Sequence, residues 1–276
     1  MRARITILCE NSVGPISGTL GEHGFSALVE TDSETLLWDT GQGFTLLHNA
    51  QRMNKNLHSL MHVALSHGHY DHSGGLLPLL RTCGPKHIFA HPSVFTPRYR
   101  YKDNGESLSL GMPYPREYLE GQGAVFELYE QYREILPGIF TTGQIPRTSD
   151  FETGDSGLFT DTCGCARDPF EDDQSLVIET PEGLVLLLGC CHSGLLNTME
   201  HVSSRTGRSD FHAVIGGTHL GFCTAEQLDR TIKELKKWKI GRLSVSHCTG
   251  FAAAARLKAE FPASFQPAQV GYCIEI

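Results

Sequence analysis

Apolar positions along the first 70 residues fall into short runs, RITIL (4–8), FSALVE (25–30), TLLWDTG (35–41) and HVALSH (62–67), separated by Gly, Asn and Asp. Runs this short, rich in β-branched and aromatic residues and bounded by turn formers, predict successive β-strands. SGGLLPLLRTCG (73–84) then reads as a helix, with Ser73 as N-cap and Gly84 as the stop, despite Pro78. In the second half, QSLVIET, a PEG turn and LVLLLGCCHSG form a hairpin, and helical LLNTMEHVSS follows. Next come a strand at FHAVIGG, an amphipathic helix at TAEQLDRTIKELKKW, a strand at RLSVSH and a helix at FAAAARLKAEF. Each apolar strand of this half runs into a loop that contains histidine.

Strand clusters followed by strand–helix alternation predict an α/β protein with two mixed β-sheets between helices. No solenoid repeat, low-complexity tail or linker interrupts the chain, so residues 1–276 are expected to form one domain. Within it, Pro92–Leu128 is irregular, with RYRYKDNG at its centre, and reads as an insertion or lid.

Composition narrows the function. With 276 residues and 40% hydrophobic content the chain can bury a large core, and its formal net charge of -8 leaves no broad basic surface for nucleic acid or an anionic membrane. The longest apolar run, LVLLLGCC, falls far short of the roughly 20 residues that cross a bilayer. The N-terminal MRARITILCENS is too polar for a signal peptide, and nine scattered cysteines fit reduced thiols, so a cytoplasmic protein is expected. Composition does not separate a monomer from a homodimer. CGC at 163–165 reads as loop structure, because its spacing disfavours a disulfide, and KELKKWK at 233–239 as the wet face of a helix.

The chemistry gathers at SHGHYDHS (66–73), where three histidines and an aspartate fall within six positions. At 14 histidines in 276 residues, chance should produce this pattern on the order of 10^-3 times per chain. His67 and His69 on an extended loop can reach one ion, while Asp71 and His72 turn to a second. Such sites need further donors, and His192, His219 and His247 each stand at the end of a later apolar strand.

These residues carry a resemblance. WDTG (38–41), SHGHYDHSGG (66–75) and SHCTG (246–250) resemble the metallo-β-lactamase superfamily, which implies an αββα sandwich with a binuclear metal site at one sheet edge. EHGFSALVE, TTGQIPR, LLLGCCHSGLLNT and GGTHL further resemble the subgroup of dihydropterin-ribofuranosylaminobenzene-phosphate synthase-like proteins. By that pattern His67 and His69 would bind one metal, and Asp71, His72 and His247 the second. Two positions depart from it. Gln144 stands where a histidine is usual, and GCC where a bridging aspartate is usual. His192 is then the expected substitute imidazole, with Cys190 as rival ligand. Asp39 is expected to orient a ligating imidazole or cap a turn, and His219 to act as acid/base or substrate contact beside catalytic Asp71.

Two divalent ions, zinc first with iron or manganese as alternatives, favour hydrolysis by metal-activated water on a small anionic substrate. Helices following CHSG and HCTG, with Ser193 or Thr249, and Arg98, Arg100 and Arg147 are candidate phosphate contacts. Phe95, Tyr99, Tyr101 and Tyr114 are candidates to stack on a heterocycle. The subgroup implies an alternative, a transferase condensing a dihydropterin methyl diphosphate with ribofuranosylaminobenzene phosphate. A non-catalytic sensor ranks below both, and no attached flavin module supports a di-iron redox role.

Overall fold

The computed structural model describes residues 2–16, 18–102 and 104–276. In the first sheet, β1 (Ala3–Cys9), β2 (Ser26–Thr31) and β3 (Thr35–Trp38) are successively antiparallel, and β4 (His62–Ala64), β5 (Lys86–Ala90) and β8 (Ala124–Leu128) continue in parallel. The last strand, β17 (Cys273–Glu275), returns antiparallel along the other side of β1.

The second sheet joins antiparallel β9 (Arg133–Leu136), β10 (Ile139–Thr141), β12 (Leu176–Thr180) and β13 (Gly183–Leu187) to parallel β14 (Asp210–Gly217), β15 (Lys239–Ser246) and β16 (Phe265–Pro267). Alternate residues of both sheets meet in one core, including Ile5, Val29, Trp38, Ile178, Val185 and Ile215. Helices α1 (Leu46–Arg52) and α3 (Leu76–Cys83) cover the outer face of the first sheet. The crossovers α5 (Leu195–Thr206), α6 (Ala225–Leu235) and α7 (Gly250–Glu260) cover that of the second. This is the predicted αββα sandwich. No helix among the described residues is long and apolar enough to cross a membrane.

Two local expectations are corrected. Ser73 is not an N-cap: a short helix, α2 (Tyr70–Ser73), begins four residues after Ser66, and the Ser73 hydroxyl donates back to His69 O at 2.8 Å. Gly74 and Gly75 link α2 to α3, and only glycine fits there, because a Cβ would lie 2.5 Å from Gln42 O at the first and 2.1 Å from Thr40 O at the second. Pro78 falls in the first turn of α3, where its missing N–H goes unnoticed.

The irregular segment also divides. β6 (Tyr99–Tyr101) and β7 (Ser107–Ser109) join β11 (Leu158–Phe159) in a small third sheet, whereas α4 (Arg116–Gly121) and β8 belong to the main fold. The small sheet hangs on the histidine loop, since Tyr70 N donates to Leu110 O at 2.9 Å.

Candidate metal centre

β3, β4, β13, β14 and β15 all deliver their C-terminal ends to one edge of the sandwich, where loops after open parallel strands gather chemistry. Asp39, Cys191, His219 and His247 stand there with φ of 57°, 63°, 55° and 51°. Left-handed backbone is unfavourable for non-glycine residues and collects at functional sites, because it turns a side chain sharply out of the strand direction.

One half of the cluster is made of imidazoles. His67 Nε2 lies 2.9 Å from His69 Nδ1, and His192 places its ring centroid 4.9 Å from each of theirs. Ser66 donates its backbone N–H and hydroxyl to Asp39, both at 2.7 Å, so its oxygen accepts from His67 Nδ1 at 2.8 Å and leaves His67 Nε2 a bare lone pair. Phe170, itself at φ 53°, stacks on His192 at 4.3 Å and 10°. Burial, reinforced by neighbouring cationic groups, holds His67, His69 and His192 well below the usual imidazole range, so they are neutral.

The other half is mixed. His72 Nε2 lies 3.2 Å from His247 Nε2 and 3.2 Å from Cys190 Sγ, while Asp71 Oδ2 is 3.3 Å from His247 Nε2. His72 Nδ1 faces Asp39 Oδ2 at 2.7 Å, fixing its proton on that side. Burial would lower His72, yet Asp39 and Asp71 raise it. Burial would likewise raise Asp71, but the charge of His72 and the hydrogen bond from His23 hold it well below the usual carboxylate range.

Whether these donors fit metal ions can be judged from the atoms themselves. Ligands of a tetrahedral ion with bonds near 2.1 Å sit roughly 3.4 Å apart, and the donor separations above, 3.2 and 3.3 Å, match that spacing. His69 Nε2 and both ring nitrogens of His192 are buried without partners, and an imidazole lone pair left in that state costs free energy unless a cation binds it. Two groups of donors could each hold a metal ion: His67, His69 and His192 on one side, and, by the separations above, Asp71, His72, His247 and Cys190 on the other.

His219 lies 4.3 Å from the His192 ring, with Nε2 4.0 Å from Asp155 Oδ2, beside a polar cavity of about 210 Å³. Gln144 is exposed and its backbone pairs with Glu130, outside the cluster. Several candidate anion contacts prove to be engaged elsewhere. Arg98 is buried behind the histidine loop and paired with Asp168 and Asp172, the latter also accepting from Gly68 N. The first amides of α5 donate to buried Glu152, Ser193 N to Asp173, and the Thr249 hydroxyl bonds to Thr218. Arg100 pairs with Asp155 near Phe222, and Arg147 donates to His192 O at 3.0 Å. Phe95 and Tyr101 pack edge-on against Phe126 and Phe159 in the core and the small sheet, and Tyr114 lies near Tyr118.

His23, Cys248 and Phe170 are site residues that sequence reasoning missed. His23 precedes β2, so a search of strand C-termini passes it by, although β2 runs antiparallel to its neighbours and its beginning lies at the same edge. Its Nε2 is 3.1 Å from Asp71 Oδ2. Cys248 donates to Cys190 O at 3.3 Å, directly behind the second group of donors.

The sandwich and its buried donors define a metal-dependent enzyme of the metallo-β-lactamase fold. A profile of the metallo-beta-lactamase superfamily matches residues 20–157, and the chain belongs to that superfamily. The 7,8-dihydropterin-6-methyl-4-(beta-D-ribofuranosyl)-aminobenzene-5'-phosphate synthase of Methanocaldococcus jannaschii is 32% identical over 99% of this chain and 96% of its own length. The crystal structure of Tm1679, described as a metal-dependent hydrolase of the beta-lactamase superfamily, superposes with a TM-score of 0.84 at 28% identity over 99% of both chains. Zn(2+)-bound PqqB from Methylobacterium extorquens shares the fold, with a TM-score of 0.58 at 15% identity over 99% of this chain and 100% of its own.

Proposed function

We propose that the protein is a metal-dependent synthase that joins a dihydropterin methyl group to the amine of a ribofuranosylaminobenzene phosphate. This reverses the order of the two readings drawn from sequence, where hydrolysis stood first. The observation that carries it is the pair of cavities bordering the cluster. One, of about 640 Å³ and largely apolar in lining, is bounded by His247, Val245, Phe265 and Ala268. The other, of about 210 Å³, is polar and bounded by His192, His219 and Asp155. Hydrolysis needs room for one organic substrate and water, whereas condensation needs room for two. Similarity to the archaeal synthase over nearly the whole of both chains supports the same reading.

In the proposed reaction the amine nitrogen forms a bond to the pterin methyl carbon, the carbon–oxygen bond to diphosphate breaks, and the amine loses a proton. Divalent ions, when bound, would act as Lewis acids on the departing diphosphate. His219, with both ring nitrogens unpartnered at the polar cavity, would take the proton. Asp155 stands behind that imidazole, its Oδ2 4.0 Å from Nε2.

Hydrolysis is the second reading, favoured by the likeness to Tm1679. Zinc-loaded protein incubated with 6-hydroxymethyl-7,8-dihydropterin diphosphate and ribofuranosylaminobenzene phosphate separates the two by mass spectrometry. A condensation product with released diphosphate supports the synthase. Hydroxymethylpterin and diphosphate with no condensed product would sink it in favour of hydrolysis.

A further inference from the structure

Two neighbouring imidazoles, the ligand candidate His247 and His23, converge on one side chain near the start of the chain. Asn11, just past the end of β1, lies with Oδ1 2.9 Å from His247 Nδ1 and Nδ2 3.4 Å from His23 Nδ1. Its amide orientation is fixed independently, because Gly24 N donates to the Oδ1 position at 3.3 Å and a backbone N–H meets only an acceptor. The adjacent Glu10 grips the same loop by its backbone: Oε1 accepts from His247 N at 2.6 Å, while Oε2 is held by the N–H and hydroxyl of Ser12, both at 2.6 Å.

This polarity dictates where two protons sit. An oxygen facing His247 Nδ1 requires the proton on Nδ1, which leaves Nε2 as a lone pair aimed at His72 Nε2 and Asp71 Oδ2. An amide N–H facing His23 Nδ1 requires that nitrogen to be bare, so the His23 proton is on Nε2 and is donated to Asp71 Oδ2 at 3.1 Å. One carboxamide thus makes His247 a ligand and makes His23 a hydrogen-bond donor that orients the carboxylate ligand.

We propose that Asn11 is the positioning residue of the second metal half-site, setting the tautomers of His247 and His23 together. Outer partners of this kind fix the ring orientation and basicity of a ligand, and losing one typically lowers metal affinity by about 10–100-fold. The inference depends on metal binding by these residues and not on which reaction the enzyme performs.

The test uses zinc-loaded full-length protein, read by chelator competition and by nitrogen-15 imidazole spectra. Wild type should show His247 protonated on Nδ1 and His23 protonated on Nε2. Asn11→Leu should lower zinc affinity at the second half-site about 10–100-fold while the first ion stays bound. Asn11→Asp keeps an acceptor for His247 but replaces the donor to His23 with an acceptor, so His23 should gain a proton on Nδ1 while keeping the one on Nε2 that it gives to Asp71, and His247 should be unchanged. The proposal is overturned if Asn11→Leu holds both ions as tightly as wild type, or if wild-type His247 carries its proton on Nε2. Should Asn11→Leu not fold, a His23 that stays unprotonated on Nδ1 in Asn11→Asp overturns it equally.

Discussion

The two halves of the metal cluster are built in opposite ways. His67, His69 and His192 are neutral, and three nitrogens among them have no partner, with Ser66 and the Phe170 ring as their main supports. Asp71, His72 and His247 are each buttressed, by His23, Asp39 and Asn11 respectively. The second half brings a carboxylate to the ion and is organised without it, by hydrogen bonds that fix every ring. The first half is arranged by packing, and the ion itself would satisfy its exposed lone pairs. Half-sites of this kind should differ in how they respond to loss of a ligand, loss of a buttress, and acid.

The largest effect is expected from His69→Ala. With only the Ser66 contact of His67 to hold the remaining pair, its ion should be lost and turnover should fall by more than about 100-fold, beyond the usual cost of an outer partner. Metal analysis showing full retention in this variant would contradict the assignment of the first half.

Asp39→Ala should act next, because Asp39 holds the Ser66 hydroxyl and N–H as well as His72 Nδ1. Metal affinity of the second half should drop about 10–100-fold, and buried groups left unpaired should lower stability by about 1–3 kcal/mol each. Chelator titration and denaturant melts check both, and wild-type values in the two would remove the contrast between halves.

Acid sharpens the same contrast. In metal-free protein His67, His69 and His192 stay neutral while the unfolded chain protonates them below about 6.5, so each costs stability as pH falls, up to about 1.4 kcal/mol per unit. His72, raised in the folded state, works the other way: its contribution is present below about 6.5 and fades as pH rises through its folded value. Asp71, depressed, contributes above about 3.9 and loses that only as pH falls through its lower folded value. With His62, His91 and His201 also lowered, six histidines against His72 predict a net fall in metal-free stability just below about pH 6.5. Below about pH 6 that fall is opposed by buried Asp172, whose carboxyl is pushed up to about 6. Urea titration measures it, and a flat profile would refute it. The smallest effect belongs to Gln144→Ala, outside both halves, which should leave metal content unchanged and stability within about 0.5 kcal/mol.

Legibility in the sequence follows the same division. The first half could be read because His67 and His69 are neighbours and His192 ends an obvious apolar strand. The ligands of the second half could be read too, but not what holds them. Asn11 and His247 meet across 236 positions, His23 lies at the beginning of a strand, and only the antiparallel course of β2 brings it to this edge. Arg98 read as a candidate phosphate contact for the same reason, since its partners Asp168 and Asp172 are 70 and 74 positions away. The sandwich was legible from strand runs alone. The division of Pro92–Leu128 was not, because β8 is partly buried and earns its place only by pairing with β5.

Trp38 ends β3 with its indole buried in the central core, its Nε1 donating to Leu188 O at 3.2 Å, and the next residue is Asp39. It is therefore a light-emitting reporter set one residue from the group that orients His72. Cobalt entering the cluster is expected to quench its emission, whereas Trp238, packed edge-on against Phe211 on the far side of the second sheet, should respond less. Metal loading would then be readable without a dye, and a response that survives Trp38→Phe would show that the signal comes from elsewhere.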